Sequence, residues 1–168
     1  IGNDSYQKIQ ALQNAKEDAR AMAGNLDQLG YKTTLKLDLT EKQMRQELRN
    51  FKSQLKSGDE VTFYYAGHGV QIDSTNFLLP VDIAGDSEDQ VKDEAISLQR
   101  VLDDMSEKKV KFTLALVDAC RDNPFKGSGR SIAIPASVTD VDIGANLAWV
   151  FGADAKPVAC VLVNDVSI

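Results

Sequence analysis

The chain has 168 residues, which fits one domain with a sizeable core, and its 43% hydrophobic and 26% charged residues are ordinary for a globular protein. The net charge of −6 argues against a nucleic-acid-binding surface, and no apolar run approaches the ~20 residues of a membrane span. Two cysteines and a single histidine make neither a disulfide framework nor a recognisable zinc site.

The first forty residues predict a strand end, a helix and a second strand. Ile1-Gly2-Asn3 is typical of a strand end, so we expect the native start of the domain to lie upstream. A helix is predicted over residues 15–29, with Asn14 as its N-cap and Gly30 as its terminating glycine. Its apolar positions recur at threes and fours and are Ala15, Ala19, Met22, Ala23, Leu26 and Leu29. Tyr31–Leu39 alternates enough to predict a strand.

A second helix and a buried strand follow. Thr40-Glu41-Lys42-Gln43 is a capping box, and the helical stripe after it consists of Met44, Leu48, Phe51 and Leu55. Val61–Ala66 is typical of a strand buried on both faces of a parallel sheet. The order β-α-β-α-β predicts a three-layer α/β/α sandwich with a mostly parallel central sheet.

The remaining elements are predicted in the same way. The strands are Phe77–Val81, Phe112–Val117, Leu147–Phe151 and Val158–Val163, and the helix is Ala95–Met105. The acidic run of residues 82–94 favours a solvated loop, with a calcium site as the less favoured alternative because oxygen ligands cluster there. Cys160 lies inside an apolar run and is interpreted as a buried structural thiol.

Two residues with catalytic chemistry follow the two central strands. His68 stands in Gly67-His68-Gly69 directly after Val61–Ala66, and Cys120 follows Phe112–Val117. Each alone is more often structural than functional. Together they lie where open α/β sheets place their chemistry, at the carboxyl ends of neighbouring strands. A thiol with an imidazole base within reach is what nucleophilic cysteine catalysis requires.

These two stretches resemble the histidine and cysteine motifs of caspase-like cysteine peptidases, of the bacterial paracaspase, orthocaspase or metacaspase type. The segments that carry the resemblance are Ile1–Tyr6, Asn14–Ala19, Tyr64–Gly69, Phe77–Asp82 and Leu116–Arg121. The likeness runs in order from residue 1 to about Arg130, whereas residues 131–168 depart from the family pattern. The resemblance implies the caspase-like α/β/α fold in one peptidase domain over residues 1–168.

The resemblance also implies roles for individual residues. Cys120 would be the nucleophile and His68 the general acid–base residue, and the backbone N–H groups of Gly69 and Cys120 would form the oxyanion hole. Asp18 and Asp118 would bind a basic side chain, which is typical of the arginine- and lysine-selective branch. That branch supplies a further acid, for which Asp154 is a candidate. Without the resemblance, Asp18 is better explained by the dipole of its helix.

The basic, glycine-rich loop Lys126–Arg130 follows the cysteine motif. Such a loop is exposed and flexible, so we expect autoprocessing after Lys126 or Arg130. We expect basic peptides or proteins as substrates, no nucleic-acid or membrane partner, no cofactor and a cytoplasmic location, and we leave a homodimer open.

Two other functions stay open. One is a catalytically inactive caspase-like module for protein interaction, which the presence of both His68 and Cys120 disfavours. The other is a receiver-type signalling domain with Asp118 as phospho-acceptor. A receiver domain needs further acids at the first strand end and a late lysine, and Asp4 and Lys156 fit these positions poorly.

Overall fold

A computed structural model describes the backbone of residues 1–120, 145–151 and 157–164 and the side chains of residues 1–119. In these ranges the helices are α1 (Ala15–Gln28), α2 (Glu41–Gln54), α3 (Glu88–Glu94) and α4 (Leu98–Ser106). The strands are β1 (Glu60–Ile72), β2 (Thr75–Leu78), β3 (Ile96–Ser97), β4 (Phe112–Cys120), β5 (Ala145–Phe151) and β6 (Pro157–Asn164). None of the helices in this part of the chain is long and apolar enough to cross a membrane.

The strands form one mixed sheet in the order β3-β2-β1-β4-β5-β6. The central pair, β1 and β4, is parallel from Glu60 opposite Phe112 to His68 opposite Cys120. The outer described pairs are antiparallel, and Gly2 adds parallel bridges to Ala66 and Leu37. The predicted α/β architecture is confirmed, with its parallel pairing concentrated at the centre of the sheet.

The first two helices form as their sequences predict. α1 begins at Ala15, and Gly30 follows its end with φ +86, a left-handed conformation that suits glycine. Asn14 occupies the N-cap position, but its side chain makes no capping hydrogen bond. α2 has the predicted capping box, in which Thr40 and Gln43 satisfy each other's backbone N–H groups.

Two predicted strands differ from the observed ones. β1 does not end at Ala66 but continues to Ile72, because the turn at Asp73 and Ser74, both at positive φ, folds it into a hairpin with β2. His68 therefore lies inside a strand and not in a loop. The segment 31–39 forms only the Leu37 bridge to Gly2. A strand needs a hydrogen-bonded neighbour, and most of this segment faces a cavity instead.

The region after the hairpin also departs from its prediction. The acidic run is partly helical, because Ser87 caps α3. The single helix predicted over Ala95–Met105 is instead the short β3 followed by α4, with Ser97 as the N-cap of α4. Serine is a favourable N-cap residue, and an N-cap residue is itself non-helical. The helix therefore begins at Leu98, after Ser97.

Helices cover both faces of the sheet. Ile1 packs against a core cluster that includes Met44 of α2 and Met105 of α4. The next residue, Gly2, faces α1, since a Cβ there would lie 2.7 Å from the Cβ of Ala19. Because consecutive strand residues point to opposite faces, α1 covers one face and α2 with α4 covers the other. This sandwich carries the candidate site at the end of the parallel β1–β4 ladder.

Candidate active site

The imidazole of His68 is buried and held by a loop of the amino-terminal segment. Its Nε2 lies 2.8 Å from the carbonyl oxygen of Gln10, and its ring centroid lies 4.7 Å from that of Tyr6. A carbonyl can only accept, so Nε2 carries the proton in this hydrogen bond. The neutral ring then keeps its lone pair on Nδ1, and Nδ1 is the nitrogen that can act as a base.

Two buried tyrosine hydroxyls fix the backbone on both sides of the imidazole. The N–H of His68 donates to Tyr6 Oη at 2.7 Å, and the Oη of Tyr65 donates to the carbonyl of His68 at 2.8 Å. Both hydroxyls crowd Gly67, where a Cβ would lie 2.6 Å from Tyr65 Oη and 2.8 Å from Tyr6 Oη. Glycine before His68 is therefore required for this approach. Burial raises the pKa of Tyr6 to about 12, so its hydroxyl stays neutral near neutral pH.

Removing one of these hydroxyls is expected to weaken both the fold and the site. In Tyr6→Phe, the buried N–H of His68 loses its acceptor, which should reduce the free energy of unfolding by about 1–3 kcal/mol. The single histidine gives one set of imidazole signals by NMR, and we expect their chemical shifts to change in Tyr6→Phe because the backbone N–H of His68 loses its hydrogen bond to Tyr6 Oη. Tyr31→Phe, which lies away from His68, is the matched control. Equal stability and equal imidazole chemical shifts in both variants would contradict this positioning role.

The amino-terminal loop that holds His68 is itself anchored by a charged cluster. The carboxylate of Asp38 accepts hydrogen bonds from the backbone N–H groups of Asp4 and Ser5, both at 3.0 Å, and from Lys16 Nζ at 2.8 Å. Burial alone would raise the pKa of Asp38, but these hydrogen bonds outweigh it and lower the pKa to about 2. The cluster therefore stays ionised and fixes the start of the loop that carries Tyr6 and Gln10.

The sheet places the two predicted catalytic residues directly opposite each other. His68 and Cys120 are the last residue pair of the parallel β1–β4 ladder. Neighbouring strands lie about 4.8 Å apart, so the two backbones are adjacent at the edge where the ladder ends. The sequence predicted that two strand ends would bring these residues together, and the register does so.

Gly69 is the first residue of β1 after the pairing with β4 ends at His68, and it is the first residue of β1 that is paired with β2. Leu79 N donates to the carbonyl of His68 at 3.0 Å, and Gly69 is paired with Leu78. This bond pattern makes Gly69 and Leu78 a non-hydrogen-bonded pair. The N–H of Gly69 therefore points away from β2, toward the side on which β4 ends. That direction suits an oxyanion donor beside Cys120.

Asp18 and Asp118, the predicted pocket acids, lie around one tyrosine. Tyr64 Oη donates to Asp118 Oδ2 at 3.4 Å. Burial, followed by the charges of Asp118 and Asp18, raises the pKa of Tyr64 well above its usual value. Asp118 is half-buried on β4, two residues before Cys120, whereas Asp18 is exposed in the first turn of α1. The structure therefore brings both carboxylates to one negatively charged region next to the ladder end.

Some predicted residues lie outside the described part of the chain. Lys126, Arg130 and Asp154 are among them, and the side chains of Cys120 and Cys160 are not described. The predicted strands containing Leu147–Phe151 and Val158–Val163 are present as β5 and β6.

The acidic run shows no described metal site. Asp82 accepts from the backbone of Glu41, and Glu94 accepts from that of Ala84, so these two acids serve local structure. No three metal-ligating side chains converge anywhere within residues 1–119. The expectation that the protein does not use calcium stays a prediction from its sequence.

Comparison with known proteins decides the family. The sequence model of the caspase domain, a peptidase family, matches residues 1–159. The chain belongs to the caspase family. This caspase domain is 32% identical over 121 residues to the human mucosa-associated lymphoid tissue lymphoma translocation protein 1, covering 72% of the chain and 14% of that protein. The mouse homologue gives the same values. The chain thus spans about 14% of the length of the relatives it matches.

Family membership has two consequences for the alternatives. The receiver-type domain is excluded, because a caspase-family sequence model covers both the histidine and the cysteine motif. In the structure Asp4 is also bound to Lys16, in the cluster that anchors the amino-terminal loop. The inactive caspase-like module remains as the competing function for this caspase domain.

Sequence reasoning missed the residues that position His68. The carbonyl of Gln10 and the hydroxyl of Tyr65 carry no local pattern that predicts their contacts. Tyr6 lies in a segment that resembles the family, and this resemblance could have marked it as a candidate. The sequence gives no indication that its hydroxyl bonds to the N–H of His68, 62 residues away.

Proposed function

We propose that this caspase domain is a cysteine endopeptidase that cleaves peptide bonds after arginine or lysine through a His68–Cys120 dyad. The observation that carries the proposal is the register of β1 and β4, which pairs His68 with Cys120 at the end of the parallel ladder. The region of Asp18 and Asp118 beside the same ladder end supports the choice of a basic substrate side chain.

The proposed reaction begins with proton transfer from the thiol. Nδ1 of His68 takes the proton of Cys120, because Nε2 is already committed to the carbonyl of Gln10. The thiolate attacks the scissile carbonyl, and a bond forms between Sγ and the carbonyl carbon. The N–H groups of Gly69 and Cys120 stabilise the negative oxygen of the tetrahedral intermediate. Such a donor is typically worth about 3 kcal/mol in the transition state.

The proton then returns to the substrate. His68 donates it to the departing amine as the carbon–nitrogen bond breaks, which leaves the substrate as a thioester on Cys120. Water, deprotonated by His68, attacks the thioester. The carbon–sulfur bond then breaks, and the imidazolium of His68 returns its proton to the departing thiolate of Cys120. The carboxylic acid product loses its remaining proton to solvent and departs as a carboxylate, so the atoms and protons balance.

The pocket charge supports arginine or lysine before the scissile bond. A carboxylate binds a guanidinium through two parallel hydrogen bonds, and Asp118 is the less exposed of the two acids. Tyr64, which is neutral at physiological pH, adds a hydroxyl beside it. An aspartate side chain would meet like charge in this region and would be rejected.

A peptide probe separates the enzyme from the inactive module. A short peptide ending in an arginine chloromethyl ketone should alkylate Cys120, which peptide mapping by mass spectrometry locates. Cys120→Ala should remove the label, and Cys160→Ala should retain it. A probe of the same length ending in an aspartate chloromethyl ketone should label Cys120 at least about tenfold more slowly than the arginine probe. Absence of arginine-directed labelling would favour the inactive module.

The loop after the nucleophile is expected to be a substrate of the enzyme itself. Lys126–Arg130 is basic and glycine-rich, and a peptidase that cleaves after basic residues would cut it in the same or a neighbouring copy. We predict fragments ending at Lys126 or Arg130 by intact-mass analysis of incubated wild-type protein and none in Cys120→Ala. Equal fragments in both samples would indicate a contaminating protease. An active wild type that stays whole would contradict the prediction.

A further inference from the structure

The carbonyl oxygen of His68 receives two hydrogen bonds. Leu79 N donates to it at 3.0 Å, and Tyr65 Oη donates to it at 2.8 Å. Tyr65 is fully buried, and burial raises the pKa of its hydroxyl well above its usual value, so the hydroxyl keeps the proton that it donates. A carbonyl with two donors is held in one orientation, which fixes the plane of the peptide group that joins His68 to Gly69.

Two tyrosine protons are divided between two carbonyls at this point. Tyr65 Oη also lies 2.9 Å from the carbonyl oxygen of Leu79, and Tyr6 Oη lies 3.3 Å from the same oxygen. Each hydroxyl has one proton to donate, and Tyr6 Oη meets His68 at its N–H, from which it accepts. The arrangement that gives each carbonyl one hydroxyl proton therefore has Tyr65 donating to His68. Tyr6 then donates to Leu79.

The N–H of Gly69 belongs to the same peptide group as the carbonyl of His68. In a trans peptide the two groups point in opposite directions, so the bonds that hold this carbonyl toward Leu79 aim the N–H toward the end of β4. Hydrogen bonds accepted by a carbonyl also polarise its peptide group, which makes the N–H a stronger donor. The hydroxyl of Tyr65 thus acts on the donor that is assigned to the oxyanion.

We propose that Tyr65 is a positioning residue of the oxyanion hole, whose hydroxyl fixes and polarises the peptide group that presents the N–H of Gly69. The inference rests on the proposed peptidase function and adds to it a residue that acts only through the backbone. Negative charge develops on the substrate oxygen as the thiolate attacks and is absent from the bound substrate. The contribution of Tyr65 should therefore appear in kcat and not in KM.

The hydroxyl can be removed without leaving a carbonyl unpaired. In Tyr65→Phe, the carbonyl of His68 keeps its bond from Leu79 N. The carbonyl of Leu79 keeps the hydroxyl of Tyr6 and Asn3 Nδ2, which lies 3.2 Å away. Phenylalanine also retains the ring and its packing. We therefore expect the variant to fold, with an unfolding temperature lowered by about 2–6 °C.

The test separates acyl transfer from simple alkylation of the same thiol. Cleavage of an arginine peptide passes through an oxyanion, whereas iodoacetamide does not require one. In the alkylation, Sγ of Cys120 bonds to the methylene carbon as iodide leaves, and the thiol proton passes to His68. We would measure kcat, KM, the alkylation rate and the unfolding temperature for wild type, Tyr65→Phe and Tyr6→Phe. Peptide mapping distinguishes alkylation of Cys120 from that of Cys160.

We expect Tyr65→Phe to reduce kcat about 5- to 50-fold, with KM within about threefold of wild type. This loss is smaller than the roughly 10²–10³-fold effect of removing a direct oxyanion donor, because the N–H of Gly69 itself remains. Alkylation of Cys120 should stay within about twofold of the wild-type rate, since it develops no oxyanion. Tyr6→Phe loses a bond to the N–H of His68 instead, so it should change the alkylation rate together with kcat.

Three results would overturn the inference while leaving the proposed function in place. They are a kcat for Tyr65→Phe within about twofold of wild type, the same pattern of effects in Tyr65→Phe and Tyr6→Phe, and alkylation reduced by the same factor as kcat. A Tyr65→Phe variant that fails to fold would also overturn it, because the hydroxyl would then be required for the fold itself. Wild-type protein that does not cleave the arginine peptide would contradict the proposed function, and this inference with it.

Discussion

Cys120→Ala is expected to reduce the turnover of an arginine peptide by at least about 10³-fold, with little change in the unfolding temperature. Loss of the nucleophile removes the covalent route entirely, and the remaining oxyanion donors cannot replace it. Alanine is a small apolar residue that occupies nearly the space of a thiol, so packing changes little. Turnover and thermal unfolding, measured on the same preparation, separate a catalytic effect from loss of the fold.

Cys160→Ala is the matched control, because the same substitution is made at the other cysteine, on β6. We expect its turnover to stay within a few-fold of wild type. An inactive Cys160 variant together with an active Cys120 variant would show that the nucleophile had been assigned to the wrong cysteine.

Asp118→Asn is expected to reduce kcat/KM for an arginine peptide by about 30- to 4,000-fold. This range corresponds to the 2–5 kcal/mol lost when one partner of a buried charge pair is removed. Asparagine keeps the shape of the side chain and an acceptor for Tyr64, so the loss reports charge. Asp18→Asn should have a smaller effect, because Asp18 is exposed and its charge is better screened by water.

Asp27→Asn is the control for a general change in net charge. Asp27 is exposed on the same helix as Asp18, at the opposite end. Its substitution by asparagine should leave kcat/KM within about twofold of the wild-type value. If Asp118→Asn has no larger effect than Asp27→Asn, Asp118 does not bind the substrate side chain.

The elements that local pattern determines were predictable from the sequence. α1 and α2 begin where apolar spacing and the Thr40–Gln43 capping box place them. His68 and Cys120 could be predicted to meet because parallel strands present their carboxyl ends at one edge, and the observed register pairs them.

The contacts that position the imidazole could not be predicted in this way. Tyr6 and Gln10 reach His68 through hydrogen bonds between segments far apart in the sequence, and the hydroxyl of Tyr65, in the same strand as His68, bonds to its carbonyl. The exact end of β1 depended on the turn at Asp73 and Ser74, which extends the strand past His68.

The segment 31–39 shows the opposite case, in which local pattern alone predicted too much. Its alternation fits a strand, but a ladder requires a neighbour along its length, and only Leu37 has one.

The most direct test of the account is cleavage of a peptide panel that differs only in the residue before the scissile bond. With wild-type protein, we expect cleavage after arginine and lysine, none after aspartate, and no cleavage of any peptide by Cys120→Ala. Efficient cleavage after aspartate, or equal rates for the wild type and Cys120→Ala, would contradict the assignment of this caspase domain as an arginine- and lysine-specific cysteine peptidase.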